Sequence, residues 1–417
     1  MQVRVAVVEG KEEPGVHATY AVVMAGGVGE RLQPISSAEK PKQFLALLSA
    51  KTMLQETVDR ILPITPLEQV YVSTGTAYVG LVREQLPDLP NQNVLAEPIG
   101  RGTAACIGLA AITIGQRDPN AVMVVLPADH QIRDVARFRT VLLNAIEAAR
   151  AGDRLITLGI DPNHPSTEYG YLKAGEQIPM SGSQLPIRRL EQFVEKPTKE
   201  RAEQLLSEGG YYWNSGMFVW RATAILHEIE KYMPELHSGL SRIAKALRSQ
   251  ADASQVILEV FQNLKPASID RGVMEKSTKG LVIPTGDMGW SDVGSFESLR
   301  KEKTIQEKPW GYEELWGLTA SYAGKILHIR KGQSLSLQYH NTKDETIRVL
   351  SGQLRLLHGD SADSLTPQEL CPGERFRIPP GLLHRMEAIE ECDVLEVSTP
   401  HLLDVVRLAD HYGRVGT

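Results

Sequence analysis

The chain has 417 residues, a formal net charge of −6, 42% hydrophobic residues and 23% charged ones. It is too long for one ordinary domain, has the composition of a soluble globular protein, and its acidic balance argues against general nucleic-acid or anionic-membrane binding while leaving room for one local phosphate pocket. Cys106, Cys371 and Cys392 are widely separated, with no metal-knuckle or disulfide spacing, no run approaches the ~20 apolar residues of a membrane span, and the N-terminus lacks a signal-peptide core, which together predict a cytoplasmic protein.

Residues 1–18 alternate at Val3, Val5 and Val7 and break at Glu12-Glu13-Pro14-Gly15, as an extra edge strand or a loose leader would. From Tyr20, apolar runs predict buried strands at YAVVMAG, QVYVSTG, NVLAEP, AVMVVLPAD and RLITLGI. Periodic segments between them, at 53–61, 104–115 and 138–151, predict helices. Continuous apolar strands alternating with helices make an α/β fold, a parallel sheet with helices on both faces. Ligands of such sheets bind at the carboxyl ends of the strands. Near residue 305 the pattern changes to short alternating strands (KILHIRKG, SLSLQYH, TIRVLSG, LRLLHGD, RFRIPPG, DVLEVST) with Gly, Pro and Asp turns. Such spacing predicts an all-β sandwich or barrel, so the expected organisation is 19–305 followed by 306–417.

The first strand ends in Gly26-Gly27-Val28-Gly29, with Arg31, Lys40 and Lys42 close behind. Glycines let backbone N–H groups approach phosphates, and nearby cations neutralise their charge. The string is neither a Walker A loop nor GxGxxG, and alone it could be a plain strand-to-helix turn. Asp129 closes the LPAD strand, where a lone aspartate could also be a helix cap. With Asp292 in GWSDVG it could instead form a two-carboxylate Mg²⁺ site, since magnesium favours few carboxylates plus phosphates and water.

The strand, the GGxGxR turn and the PKQF box at 41–44 together resemble the sugar nucleotidyltransferases, and PKQF resembles their mannose-1-phosphate guanylyltransferase branch. The resemblance implies a Rossmann-like domain with a mixed, mostly parallel sheet. It also implies a reaction in which mannose 1-phosphate attacks the α-phosphorus of GTP and pyrophosphate leaves. Arg31 and Lys42 are then expected to be catalytic; Lys40 and Lys42 compete for the lysine's role, and Lys42 is favoured because it lies inside the matching box, with a solvated charge as the alternative reading of Lys40. Gly26, Gly27, Gly29, Glu97, Arg101 and Thr103 are expected on the nucleotide, although Gly102 and Ala105 depart from the family's usual RNTAP string. Gly170, Glu195, Lys196 and Asn214, in YGY, EKP and WNSGMF, are expected on the sugar phosphate. The string at 268–276 also resembles the family's SID…MEK segment, with Arg271-Gly272 replacing more usual residues.

In the C-terminal region, residues 332–352 and 373–384 fit the two cupin motifs, with Gln338, His340, Glu345 and His384 in the ligand places. A small barrel would aim these side chains at one divalent ion, and a mixed N/O set suits Zn²⁺, Mn²⁺, Fe²⁺ or Ni²⁺. The string LSLQ-x-H resembles the type II mannose-6-phosphate isomerase cupin, which implies interconversion of mannose 6-phosphate and fructose 6-phosphate. Asn341-Thr342-Lys343 replace the usual HHR or HxR there, and a Trp expected after the ligand Glu is missing. A sugar-phosphate sensor or assembly module without catalysis is the competing expectation, as is a related transferase of different base or sugar. The sequence leaves the oligomeric state open, a homo-oligomer included.

Overall fold

A computed structural model describes residues 18–27, 32–33, 35–180, 183–249, 253–295, 298–299 and 305–414. The leader up to residue 17, Gly29 and Arg31 therefore lie outside the described residues. Contacts divide the chain into two compact units. The first holds residues up to Gly26, Leu54–Ala128 and Ile132–Trp290; the second holds Gly27–Met53, Asp129–Gln131 and the chain from Ser291 onward.

The first unit is built on a nine-stranded sheet. Its spatial order is Val94–Glu97, Val70–Gly75, Thr19–Met24, Val122–Pro127, Tyr211–Arg221, Leu155–Ile160, Gly280–Pro284, Arg188–Val194 and Tyr171–Gln177. The first four run parallel. Tyr211–Arg221 then runs antiparallel to both neighbours, so the sheet is mixed. Strand side chains alternate between faces. Val22, Met123 and Val125 join an apolar cluster with the Thr103–Arg117 helix, while Val23 and Val124 on the opposite face are as fully buried. Both faces are covered, which is why these strands read as continuous apolar runs rather than alternating ones. The five apolar runs and three periodic segments of the sequence appear as Thr19–Met24, Val70–Gly75, Val94–Glu97, Val122–Pro127 and Leu155–Ile160, and as helices Met53–Ile61, Thr103–Arg117 and Val135–Arg150.

The second unit carries two antiparallel sheets of six and five strands. Glu345–Ser351 shows the half-buried signature directly: Glu345, Ile347 and Val349 are buried while the residues between them are exposed. Leu327, Ile329, Ile347, Val349, Leu354, Leu356, Met386 and Val394 close its core from both sheets. Strands Gly311–Leu318, Thr366–Leu370, Leu383–Ala388 and Val406–Ala409 are not predicted from the sequence. Gly311–Leu318 has an irregular register between Leu315 and Gly317, and Thr366–Leu370 is mostly exposed and contains a proline, so neither shows clean alternation. A second apolar cluster joins Leu32, Leu45, Leu47 and Met53 to Val293, Leu299, Leu315, Leu318 and Ala323. It anchors the segment after the glycine turn and the GWSDVG segment to the beginning of the six-stranded sheet.

Candidate active site

In the first unit, the parallel strands end together. The Ala25 N–H donates to the Ser73 carbonyl at 2.8 Å, and the Ala128 N–H donates to that of Met24 at 3.0 Å. Gly26 leaves the sheet there beside Glu97, whose Oε1 lies 3.9 Å from where a Gly26 Cβ would sit. Glu97 is buried and its Oε1 accepts from the Ser73 hydroxyl at 2.9 Å. Burial pushes this carboxyl up, against the hydrogen bonds from Ser73 and Cys106. Gly26 and Glu97 are thus brought together as expected.

Arg101 and Thr103 are placed differently from a simple nucleotide-facing pair. The Arg101 guanidinium donates to the carbonyls of Phe261 and Gln262, and the Thr103 hydroxyl accepts from the Ile269 N–H at 2.9 Å. Ala267 closes the link, its N–H donating to the Arg101 carbonyl at 3.0 Å and its carbonyl accepting from Ala104 N–H at 3.2 Å. Gly102 makes this approach feasible, because its φ is +80° and a Cβ there would stand 2.4 Å from the Ala267 oxygen. The departure from the family's asparagine therefore has a packing reason, and these residues fix the 261–269 backbone.

Four residues expected on the sugar phosphate lie together in the same unit. The Asn214 N–H donates to the Gly170 carbonyl at 2.8 Å. A Cβ on Gly170 would meet Glu195 Oε2 at 2.8 Å, so only glycine lets the carboxylate lie this close. The Asn214 amide donates to Asp270 Oδ1 at 2.8 Å and its oxygen accepts from the Thr157 hydroxyl at 3.1 Å. Lys196, an exposed non-glycine residue with φ +45°, turns the chain just after Glu195. Burial raises the Glu195 carboxyl, helped by the charge of Asp270 and opposed by Lys196 and Arg271. Burial likewise raises Asp270, against the hydrogen bond from Asn214. Asp270 is the member of this cluster to which the sequence assigns no role. The signal was its place in SID at 268–270, which folds as a π-helical turn at Asp270–Met274, a form that often marks functional sites.

In the second unit, Pro41 leads into a single tight turn, Lys42–Phe44, with all three residues buried. The Gln43 amide donates to the Gly27 carbonyl at 2.8 Å, which ties the PKQF box to the glycine turn. Lys42 Nζ donates to Asp129 Oδ2 at 2.9 Å and also to the main-chain carbonyl of Asp292. One ammonium thus links the Asp129 carboxylate to the Asp292 backbone. Asp292 Oδ1 accepts from the Gly294 N–H at 3.1 Å, and between them Val293 holds φ +45°, a conformation costly for a β-branched residue. Val293 is nonetheless fully buried in the apolar cluster, which holds the turn in place. The Lys42 side chain is 5% exposed and that of Asp129 40% exposed. Burial raises the Asp129 carboxyl, but Lys42 and His130 outweigh it and hold the group below its usual range. Lys40 is exposed, as a solvated charge should be. A carboxylate kept charged and partly open to solvent, as that of Asp129 is, is the kind of oxygen donor a magnesium ion accepts.

The cupin ligand places also converge. His340, Glu345 and His384 are buried, and each offers one donor atom within 4.8 Å of the others. His340 Nδ1 meets the carbonyl of Asp404, and His384 Nδ1 meets that of Leu382 at 3.0 Å. A carbonyl only accepts, so each Nδ1 carries a proton, and the neutral form of each ring has its lone pair on Nε2. His340 Nε2 is buried without a hydrogen-bond partner. Glu345 Oε1 lies 3.6 Å from it and 3.4 Å from His384 Nε2. Burial, opposed by Glu345, holds His384 below its usual value and so in the ligating form. An orphaned imidazole nitrogen beside a second nitrogen and a carboxylate oxygen fits a divalent ion. Gln338 arrives differently from expectation. Its oxygen accepts from the Ser336 hydroxyl at 2.7 Å, and its NH₂ stands 3.4 Å from His384 Nε2, so ligation by its oxygen would need the amide to turn. The substituted 341–343 stretch is tied down: the backbone N–H groups of Asn341, Thr342 and Lys343 all donate to the Asp404 carboxylate.

Residues 20–308 match the family model described as nucleotidyl transferase. A mannose-1-phosphate guanylyltransferase of Escherichia coli strain K12 is 32% identical over 95% of this chain and 99% of its own length. Xanthan biosynthesis protein XanB of Xanthomonas campestris pv. campestris strain B100 is 30% identical over 94% and 98%. Among solved structures, a Thermus thermophilus protein described as a mannose-1-phosphate geranyltransferase superposes with TM-score 0.60 at 34% identity, covering 70% of this chain and 80% of that one. A Helicobacter pylori mannose-6-phosphate isomerase superposes with TM-score 0.53 at 24% identity, covering 66% and 99%, a likeness of fold. Near end-to-end similarity to these relatives, together with the family match across the sheet unit, places the chain in the nucleotidyl transferase family, beside its mannose-1-phosphate guanylyltransferases.

Proposed function

We propose that this chain is a mannose-1-phosphate guanylyltransferase, converting GTP and α-D-mannose 1-phosphate to GDP-mannose and pyrophosphate. The observation that carries the reading is the Lys42 ammonium set against both Asp129 and Asp292, on a chain similar from end to end to relatives of that name. In-line attack by the sugar phosphate on the α-phosphorus asks little covalent help of a protein and much positioning and charge neutralisation. Lys42 supplies a cation for the charge that grows on the departing pyrophosphate, and Arg31 is assigned the same task. Gly26, Gly27 and Gly29 are assigned backbone N–H contacts to the triphosphate, and Glu97 offers its acceptor oxygens to the base. Glu195 and Asn214 bind sugar hydroxyls, with Asp270 orienting Asn214, and Lys196 binds the sugar phosphate. Mg²⁺, which Asp129 and Asp292 would hold, neutralises phosphate charge when bound. In this reading residues 19–305 form the transferase and 306–417 the cupin. The enzyme works in the cytoplasm; among the described residues no helix is long and apolar enough to cross a membrane. GDP-mannose would feed polysaccharide assembly, as the name of the xanthan relative suggests. Product analysis with a panel of nucleoside triphosphates and hexose 1-phosphates tests the reading. GTP with mannose 1-phosphate should be the preferred pair, and a faster turnover of any other pair overturns it.

A second reading concerns the cupin, where the His340, Glu345 and His384 atoms support a bound transition metal. There the metal would polarise the C1 and C2 oxygens of mannose 6-phosphate and fructose 6-phosphate. The tethering of 341–343 by Asp404 favours instead a cupin that binds metal or sugar phosphate without turnover. A coupled fructose 6-phosphate assay, with and without added divalent metal, separates them: metal-dependent conversion supports the isomerase and its absence removes it.

A further inference from the structure

We propose that Lys343 sets the strength and denticity of metal binding in the cupin, by claiming one oxygen of Glu345 and leaving only the other for the ion. The proposal rests on the reading of His340, Glu345 and His384 as a site for a divalent first-row cation.

Lys343 ends the stretch Asn341-Thr342-Lys343 and is itself buried, at 5% exposure. Its Nζ donates to Glu345 Oε2 and, at 2.6 Å, to Glu396 Oε1. The two carboxylates it touches are 1% and 7% exposed, so the ammonium and its partners lie out of bulk solvent. The backbone supports the same placement from behind, since the Lys343 N–H donates to Asp404 Oδ2 at 2.8 Å. Asp404 also receives Nδ1 of His340 on its carbonyl. One residue thus fixes both the lysine and a ligating imidazole.

Two consequences follow for a bound ion. Glu345 Oε1, 3.4 and 3.6 Å from the two imidazole nitrogens, is the only oxygen of that carboxylate facing them without a cation on it. Glu345 would therefore offer one oxygen to an ion, beside the two imidazole nitrogens. The second consequence is electrostatic. An ammonium fixed on a ligand oxygen repels a divalent cation across a short, dry path and draws electron density from the donor. The site is therefore tuned to hold its ion more loosely than its three ligands alone would.

The test is a titration of the full chain with Co²⁺, followed by visible absorption, in excess Mg²⁺ to occupy oxygen-only sites, with the His340→Ala variant as blank. The wild type should bind one His340-dependent ion. In Lys343→Met/Glu396→Gln, which removes both charges at similar volume, binding should tighten by about tenfold or more as Glu345 gains its second oxygen. In Glu396→Gln alone the ammonium keeps only Glu345, and binding should weaken several-fold. These opposite shifts are not what a merely structural pair would give. Unchanged or weaker binding in the double variant, or tighter binding in the single one, overturns the role of Lys343 and leaves the metal site standing. Absence of His340-dependent Co²⁺ in every protein overturns the metal reading and this proposal with it.

Discussion

Lys42 and Lys343 each contact two acidic residues, and the surroundings of the two lysines differ sharply. Beside Lys42, Asp129 is 40% exposed and the second contact is a main-chain carbonyl rather than a carboxylate. Beside Lys343, both partners are carboxylates and almost wholly buried. An ammonium paired with a solvated carboxylate gains little from the pair and exchanges readily for a phosphate oxygen. One enclosed by two desolvated carboxylates cannot leave without stranding their charge. The first arrangement suits a group that must meet an arriving triphosphate; the second suits one that permanently shapes a neighbour.

The contrast can be broken by substitution. Lys343→Met alone should destabilise the chain by about 3–5 kcal/mol, because it leaves Glu345 and Glu396 buried and unpaired, and urea unfolding measures this. Lys42→Ala should cost less in unfolding than Lys343→Met, because Asp129 keeps access to solvent, and lower kcat for GDP-mannose formation by about 10²–10³-fold, the usual cost of losing one donor to developing charge. Near-normal turnover in that variant would remove Lys42 from the chemistry.

Two smaller effects sharpen the comparison. Gly102→Ala should cost about 1–3 kcal/mol in the same urea experiment, since φ is +80° and the new Cβ would meet the Ala267 oxygen. The smallest effect is in pH dependence, and its sign differs between carboxyl clusters. Burial raises both Glu195 and Asp270, and the charge of Asp270 adds to the rise of Glu195, so the folded state binds those protons more tightly. Their contribution to stability is present below the unfolded carboxyl pKa and lost as pH rises through the raised values. Glu345 is the reverse: burial pushes it up, but the Lys343 ammonium holds it far below the usual range. Its contribution is present above the unfolded pKa and lost only as pH falls through the lowered value. Unfolding across pH should show Asp270→Asn reducing the loss on the rising side, with the remainder from Glu195, while leaving the acid side as in the wild type.

Much of this was legible in the residues. The parallel strands and their helices follow from continuous apolar runs, and the PKQF, GWSDVG and cupin strings place Lys42, Asp292, His340 and His384 where the structure has them. Three features were not legible, each because it depends on packing between distant segments. Arg101 and Thr103 look like ligand-facing polar residues until the 261–269 backbone folds against them. Asp270 gains its role only when Asn214 from another strand reaches it. Lys343 reads as a substituted motif position, and nothing local says that Glu396, far along the chain, will join it. Local pattern specifies elements and motif chemistry; partners for buried charges are set by tertiary contact.

The central claim is that Asp129 and Asp292 serve one reaction with Lys42. The most direct measurement is pyrophosphate release from GTP and mannose 1-phosphate, with Mg²⁺ present, by the wild type, Asp129→Asn and Asp292→Asn. Turnover in the wild type that falls by about 10²-fold or more in each variant is the predicted result. Wild-type rates in either variant would contradict it.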